Sequence, residues 1–275
     1  MCGITAFFVR ESVPSYEVLD ILFKGTENRG QDGFGFVTIK NVYGKRIIQP
    51  TFKDSRKYSD CRDLVESIFK ANPLNIGDVV IAISRAAPET EGQTDINHID
   101  STMQPIMNYN HGLVVVHNGA VSGKIYNELQ EWSSVTGNYN YGTQIDSEAI
   151  LCSYVKHQRN MKDCMESISG GFAFIMYDQN KDCLYVVNDH MQLSHSYIQG
   201  LGFFLHSELE PLRDIIFDVT KCAKDGVNIW EMWYAHYLDG HAIRCVDLQS
   251  GFMTKVSYTP RYITPTFDTI DGIIK

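Results

Sequence analysis

The chain divides into short apolar runs and longer segments of helical spacing. "GITAFFV" (3–9) is a short apolar and β-branched run, the pattern of a buried strand. "DVVIAISRA" (78–86) and "GLVVVHNGAV" (112–121) read the same way, each turning polar at its end. "GGFAFIMYD" (170–178), "CLYVVNDH" (183–190) and "GFFLHSEL" (202–209) predict three more strands in quick succession. "SYEVLDILFKG" (15–25), "YSDCRDLVESIFKAN" (58–72), "KIYNELQEWSSVTG" (124–137) and "DSEAILCSYVKHQ" (146–158) predict helices, with Asp146 placed to cap the last. "HAIRCVDLQSGFMTKVSY" (241–258) predicts a closing hairpin. Strands and helices thus come in groups, which favours an α+β fold over strict β-α alternation. No Pro/Gly/Ser-rich linker divides the chain. The expected organisation is one body over residues 1–211, with a C-terminal extension, 212–275, packed on it or completing it.

Composition removes several function classes. The net charge of −9 is spread along the chain and disfavours a nucleic-acid partner held through phosphates. No run approaches the roughly 20 apolar residues of a membrane span, and the N-terminus lacks the basic and apolar regions of a secretory leader. The seven cysteines form no CxxC pair, against a disulfide framework or a zinc knuckle. His111, His117, His190, His195 and His206 show no metal-ligand spacing. The expectation is a cytoplasmic protein with no metal and no cofactor, its Cys152, Cys164 and Cys183 being inert core thiols.

Chemistry concentrates at a few points, each with two readings. Cys2 is either incidental or, once Met1 is removed, a nucleophile carrying its own α-amine as base. Asn118 and Gly119 end an apolar strand. They read either as a plain turn or as two neutral donors for an oxyanion. Arg85, at the end of another strand, reads as a structural ion-pair member or a fork for a carboxylate. Asp146 either caps a helix or holds an ammonium group. Arg29, Gly30, Gln31 and Asp32 form a polar glycine turn or a pocket wall.

In order, "MCGITAFF", "RGQDGFG", "SR" after a strand, "QP" then "HNGAV", "DSEAI", "GGFAF", "NDH" and "FFLHSE" resemble the class II glutamine amidotransferase domain, an N-terminal-nucleophile hydrolase. The resemblance covers residues 2 to about 210 and extends toward 250. It implies a four-layer α/β/β/α sandwich that hydrolyses L-glutamine to glutamate and ammonia through a Cys2 thioester. It also implies roles: Cys2 as nucleophile, Asn118 and Gly119 as oxyanion donors, Arg85 for the glutamine carboxylate and Asp146 for its amino group. Arg29, Gly30 and Asp32 would form the loop beside the nucleophile. The sequence departs from the family after Arg85, where Ala86, Ala87 and Pro88 follow and Thr90 and Gly92 come late. The last 60 or so residues are too few for a synthase domain, and no P-loop is present. The expected ammonia acceptor is therefore a separate synthetase subunit, of ATP-pyrophosphatase type. Two rivals are a stand-alone N-terminal-cysteine amidohydrolase acting on a γ-glutamyl or other amide, and a non-catalytic subunit. Keeping Cys2, Arg85, Asn118, Gly119 and Asp146 together argues against the second.

Overall fold

A computed structural model describes residues 1–86, 99–222 and 235–261. Eight strands form a first sheet: β1 (Gly3–Val9), β2 (Phe34–Val42), β3 (Lys45–Ile48), β4 (Phe52–Asp54), β5 (Val79–Ser84), β10 (Ser194–Ile198), β11 (Gly202–His206) and β12 (Ala235–Tyr237). Six form a second: β6 (Ile106–Asn108), β7 (Leu113–Val121), β8 (Gly170–Asp178), β9 (Cys183–Asp189), β13 (Ala242–Asp247) and β14 (Met253–Ser257). The first runs β12-β10-β11-β1-β5-β2-β3, with β4 also on β2; the second runs β14-β13-β9-β8-β7-β6.

Side-chain alternation along these strands builds three apolar layers. On β1, Ile4, Ala6 and Phe8 point between the sheets, where they meet Val114 and Val116 of β7 and Ile175 of β8. Phe7 and Val9 point the other way, onto α1 (Tyr16–Glu27), α2 (Tyr58–Ala71) and α7 (Glu210–Cys222). The outer face of the second sheet, including Leu113, Val115, Phe172 and Phe174, packs on α4 (Gly123–Thr136), α5 (Glu148–Lys156) and α6 (Met161–Ser167). A one-turn helix, α3 (Ile99–Thr102), precedes β6. The result is the α/β/β/α sandwich. Sheets covered on both faces explain why the central strands are apolar at every position rather than at alternate ones.

Helix α6 and the helix that opens at Glu210 are not evident in the sequence pattern. The α7 side chains Leu212, Ile215 and Ile216 lie in the outer layer of the first sheet beside Leu22 and Phe23 of α1. Beyond it, β12 adds to the edge of the first sheet, and β13 and β14 to that of the second.

At one end of the sandwich a buried arginine ties the sheets together. Arg46 on β3 donates to Asp182 Oδ2 at 2.5 Å, to Gly77 O at 3.1 Å and to Leu248 O at 2.8 Å. Its guanidinium also lies 5.3 Å from the centre of the Phe8 ring. Every bond reaches a different segment, so its loss uncouples several at once. Arg46→Ala is expected to lower unfolding free energy by about 3 kcal/mol, because Asp182 and two carbonyls lose their partner. Urea unfolding of the variant measures this.

Candidate active site

The opposite end of the sandwich gathers the chemically interesting residues. β1 lies between β11 and β5, so the N-terminus is held from both sides almost from its first residue. Ile4 N–H donates to Ser207 Oγ at 3.1 Å, and Ser207 N–H donates to Ile4 O at 2.9 Å. Cys2 continues the even-numbered face of β1 and packs, half-buried, against the layer between the sheets.

A second segment closes on Cys2 from the end of β5. Ala86 N–H points at Cys2 Sγ at 3.4 Å, and the thiol donates to Ala86 O at 3.8 Å. The glycine turn holds that strand end in place. Arg85 N–H donates to Gly33 O at 2.8 Å, and Asp32 N–H donates to Arg85 O at 2.9 Å. Gly30 must be glycine because a Cβ there would lie 2.4 Å from Ser84 O. Arg29 anchors the turn to the segment that grips β1, donating to Ser207 O at 3.0 Å and pairing with Glu208 at 3.3 Å. His206, two residues before Glu208, accepts Glu208 N–H at Nδ1 (2.8 Å) and reaches Leu22 O of α1 from Nε2 (3.0 Å).

Burial pushes the Cys2 thiol above its ordinary pKa. The Ala86 N–H, the N-terminal ammonium and Arg85 oppose this, and the Asp146 carboxylate adds to it. The two opposite charges therefore both lie within electrostatic reach of the sulfur. A thiol held protonated in this way needs a base beside it before it can attack.

On β7, alternation sends Asn118 to the same side as Val114 and Val116, toward the layer that Cys2 borders. Asn118 is fully buried, yet among the described residues neither its Oδ1 nor its Nδ2 has a hydrogen-bond partner. An orphaned buried amide costs about 1–3 kcal/mol, so it is a feature that folding alone does not favour. Gly119 has φ +126°, and a Cβ there would sit 2.1 Å from Gly171 O of β8.

Asp146 does not cap α5, against the sequence expectation. The cap position is Ser147, and Asp146 Oδ2 instead accepts Val121 N–H at 2.7 Å. The carboxylate thus ties the start of α5 to the end of β7. His117 faces the helical layer, with Nδ1 2.7 Å from Ser147 Oγ. Burial drives its pKa down to about 4, so it is neutral at pH 7.

Gln104 is the residue sequence reasoning undervalued. Its Oε1 accepts His117 N–H at 2.6 Å, and its Nε2 donates to His117 O at 3.1 Å and Ser147 Oγ at 3.3 Å. One buried amide thereby sets the end of β7 and the start of α5 together. The "QP" pair was the only signal of it. The structure brings Arg85 and Asp146 within electrostatic reach of Cys2, with Asn118 on the bordering layer and Arg29, Gly30 and Asp32 supporting the wall. Ala87, Pro88, Thr90 and Gly92 lie outside the described residues.

Two outcomes follow. His117 and His206, both buried and both with pKa near 4, take up protons in the unfolded chain first as pH falls below about 6.5. Stability present above pH 6.5 should therefore decline toward pH 4, by up to about 1.4 kcal/mol per pH unit for each histidine. Urea unfolding at stepped pH reads the slope. Gly119→Ala should destabilise by about 2 kcal/mol or more, since both φ and the Gly171 carbonyl oppose a Cβ; thermal unfolding reads this.

Residues 93–214 match the glutamine amidotransferase domain family. Among curated relatives, a probable asparagine synthetase (glutamine-hydrolysing) of Schizosaccharomyces pombe is 31% identical over 123 residues, 42% of this chain and 21% of that protein. The 7-cyano-7-deazaguanine synthase 2 of Sulfurisphaera tokodaii is 26% identical over 232 residues, 80% of this chain and 46% of that protein. The chain thus spans less than half the length of these relatives. In fold it is similar to a glutamine phosphoribosylpyrophosphate amidotransferase from B. subtilis, with TM-score 0.61 at 16% identity, over 94% of this chain and 49% of that one. Among the described residues no helix is long and apolar enough to cross a membrane. Over residues 93–214 the sequence thus matches a glutamine amidotransferase domain, and the double sheet behind Cys2 has the fold of a glutamine phosphoribosylpyrophosphate amidotransferase.

Proposed function

We propose that this chain hydrolyses the side-chain amide of L-glutamine at Cys2 and passes the ammonia to a synthetase partner. The observation that carries the reading is Asn118, a buried amide with no partner, on a strand edge bordering the nucleophile's layer. A donor left unsatisfied in the resting protein is suited to a charge that exists only during reaction.

Loss of Met1 would give Cys2 its own α-amine. That amine takes the thiol proton, and the sulfur attacks the glutamine Cδ. The oxyanion that forms is held by Asn118 Nδ2–H and Gly119 N–H. As the C–N bond breaks, the α-ammonium returns its proton to the leaving group, which departs as ammonia. Water then adds to the γ-glutamyl thioester, releasing glutamate and restoring the thiol. Arg85 and Asp146, of opposite charge and both acting on Cys2, suit the carboxylate and ammonium of a free amino acid. Each charged end demands its partner once water is excluded, which would separate free glutamine from glutamine within a peptide.

One relative above is named an asparagine synthetase and another a 7-cyano-7-deazaguanine synthase. Those names support a synthetase as the ammonia acceptor, with an ATP-pyrophosphatase-type ligase as the proposed partner. Glutaminase activity of the chain alone should then be low and should rise when partner and acceptor are added.

Intact mass spectrometry before and after a diazoketone analogue of glutamine tests the core of the proposal. The expected result is a chain lacking Met1 that gains one adduct, absent in Cys2→Ala. A chain that lacks Met1 and stays unlabelled overturns it. Arg85→Ala and Asp146→Asn should raise KM for glutamine about tenfold or more with a smaller change in kcat.

A further inference from the structure

A second cluster of metal-competent side chains lies outside the site described above. Asp189 ends β9, His190 follows it, and His241 immediately precedes β13, the strand paired with β9. Asp189 Oδ1 lies 3.1 Å from His241 Nδ1 and 3.2 Å from His190 Nε2. One ligand atom from each residue falls within 4.8 Å of the others.

At such distances an imidazole and a carboxylate normally hydrogen-bond. Here Asp189 Oδ1 and His241 Nδ1 are both buried, and neither makes a hydrogen bond among the described residues. The two atoms thus approach closely without the geometry of a hydrogen bond. Asp189 is 3% exposed, so its orphaned oxygen has no solvent to turn to. His190 and His241 both adopt left-handed backbone, with φ 59° and 54°. Few non-glycine residues do so.

The spacing suits a small divalent ion. Ligand atoms about 2.0–2.1 Å from a metal stand about 3.3 Å apart at a tetrahedral angle and about 2.9 Å apart at a right angle. Both measured separations fall between these limits. The third side of the triangle lies within 4.8 Å, and His190 is the most exposed of the three at 59%. That exposure also provides the entry path and leaves room for water as a further ligand.

We propose that Asp189, His190 and His241 bind one divalent transition-metal ion of the zinc type. Borderline nitrogen ligands with a single carboxylate favour such an ion over calcium or magnesium, which prefer an all-oxygen shell. The ion would clip the exit of β9 to the entry of β13. His190 also bridges to Phe172 of β8, which pairs with Gly119 of β7. The clip therefore steadies the same end of the second sheet that carries Asn118 and Gly119, without touching the substrate. Sequence spacing did not reveal it, because His190 and His241 are separated by the whole of β10, β11, α7 and β12.

The full chain, stripped with chelator and dialysed, is titrated with Zn²⁺ against a chromophoric competitor and separately with Co²⁺. One ion per chain is expected, with Co²⁺ giving visible ligand-field bands and no thiolate charge-transfer band. His190→Ala and His241→Ala should each weaken binding at least tenfold, while Cys2→Ser and His111→Ala leave it unchanged. Saturating Zn²⁺ should raise the unfolding midpoint of the unsubstituted chain by about 4 °C or more and leave that of His190→Ala in place. Should His241→Ala fail to fold, the exposed His190→Ala carries the comparison. Unchanged affinity in His190→Ala, binding abolished by Cys2→Ser, or no stoichiometric uptake overturns the proposal.

Discussion

The side on which Cys2 emerges is decided by the register of β1. That strand is central in the first sheet and covered on both faces, so Ile4, Ala6 and Phe8 are committed to one layer and Phe7 and Val9 to the other. A slip of one residue would send every one of them into the wrong layer and turn Cys2 toward the helices. Burial on both faces makes that slip prohibitively unfavourable. Stability of the core and placement of Cys2 are therefore the same constraint. An N-terminal residue, which ordinarily frays, is fixed because the strand behind it has no freedom.

Around that fixed point, backbone contacts do most of the positioning. The glycine turn holds Arg85 by two main-chain hydrogen bonds, and Ala86 in turn presents its N–H to the sulfur. Gln104, through His117 and Ser147, sets the second sheet's contribution against the start of α5. The groups placed this way are left electrostatically unfinished: a thiol raised by burial, opposite charges on either side, and an amide with no partner. Nothing in folding favours that combination, and a reacting amino acid would complete it.

Much of this was legible along the chain. Unbroken apolar runs marked the central strands, since only doubly covered strands can be apolar throughout. The ordered motifs pointed to the domain family and, with it, to the layered architecture. Helices α6 and α7 were not legible, because a short helix and one starting after "SEL" give little periodicity before tertiary packing supplies their partners. Asp146 shows the limit most clearly. Its position before a helix suggested a cap, yet the unsatisfied Val121 N–H on a strand 25 residues earlier in sequence claimed its carboxylate.

By itself the sequence determined which segments are strands and helices, that Cys2 heads a buried strand, and which residue types are available for chemistry. These follow from local period and composition, which are properties of neighbours along the chain. Only the tertiary structure decided which of those residues meet: Ala86 at the thiol, Gln104 between β7 and α5, and Asp189 beside both His190 and His241. Such meetings depend on sheet order and strand register. Those are settled by burying three apolar layers at once, a condition no single stretch of sequence expresses.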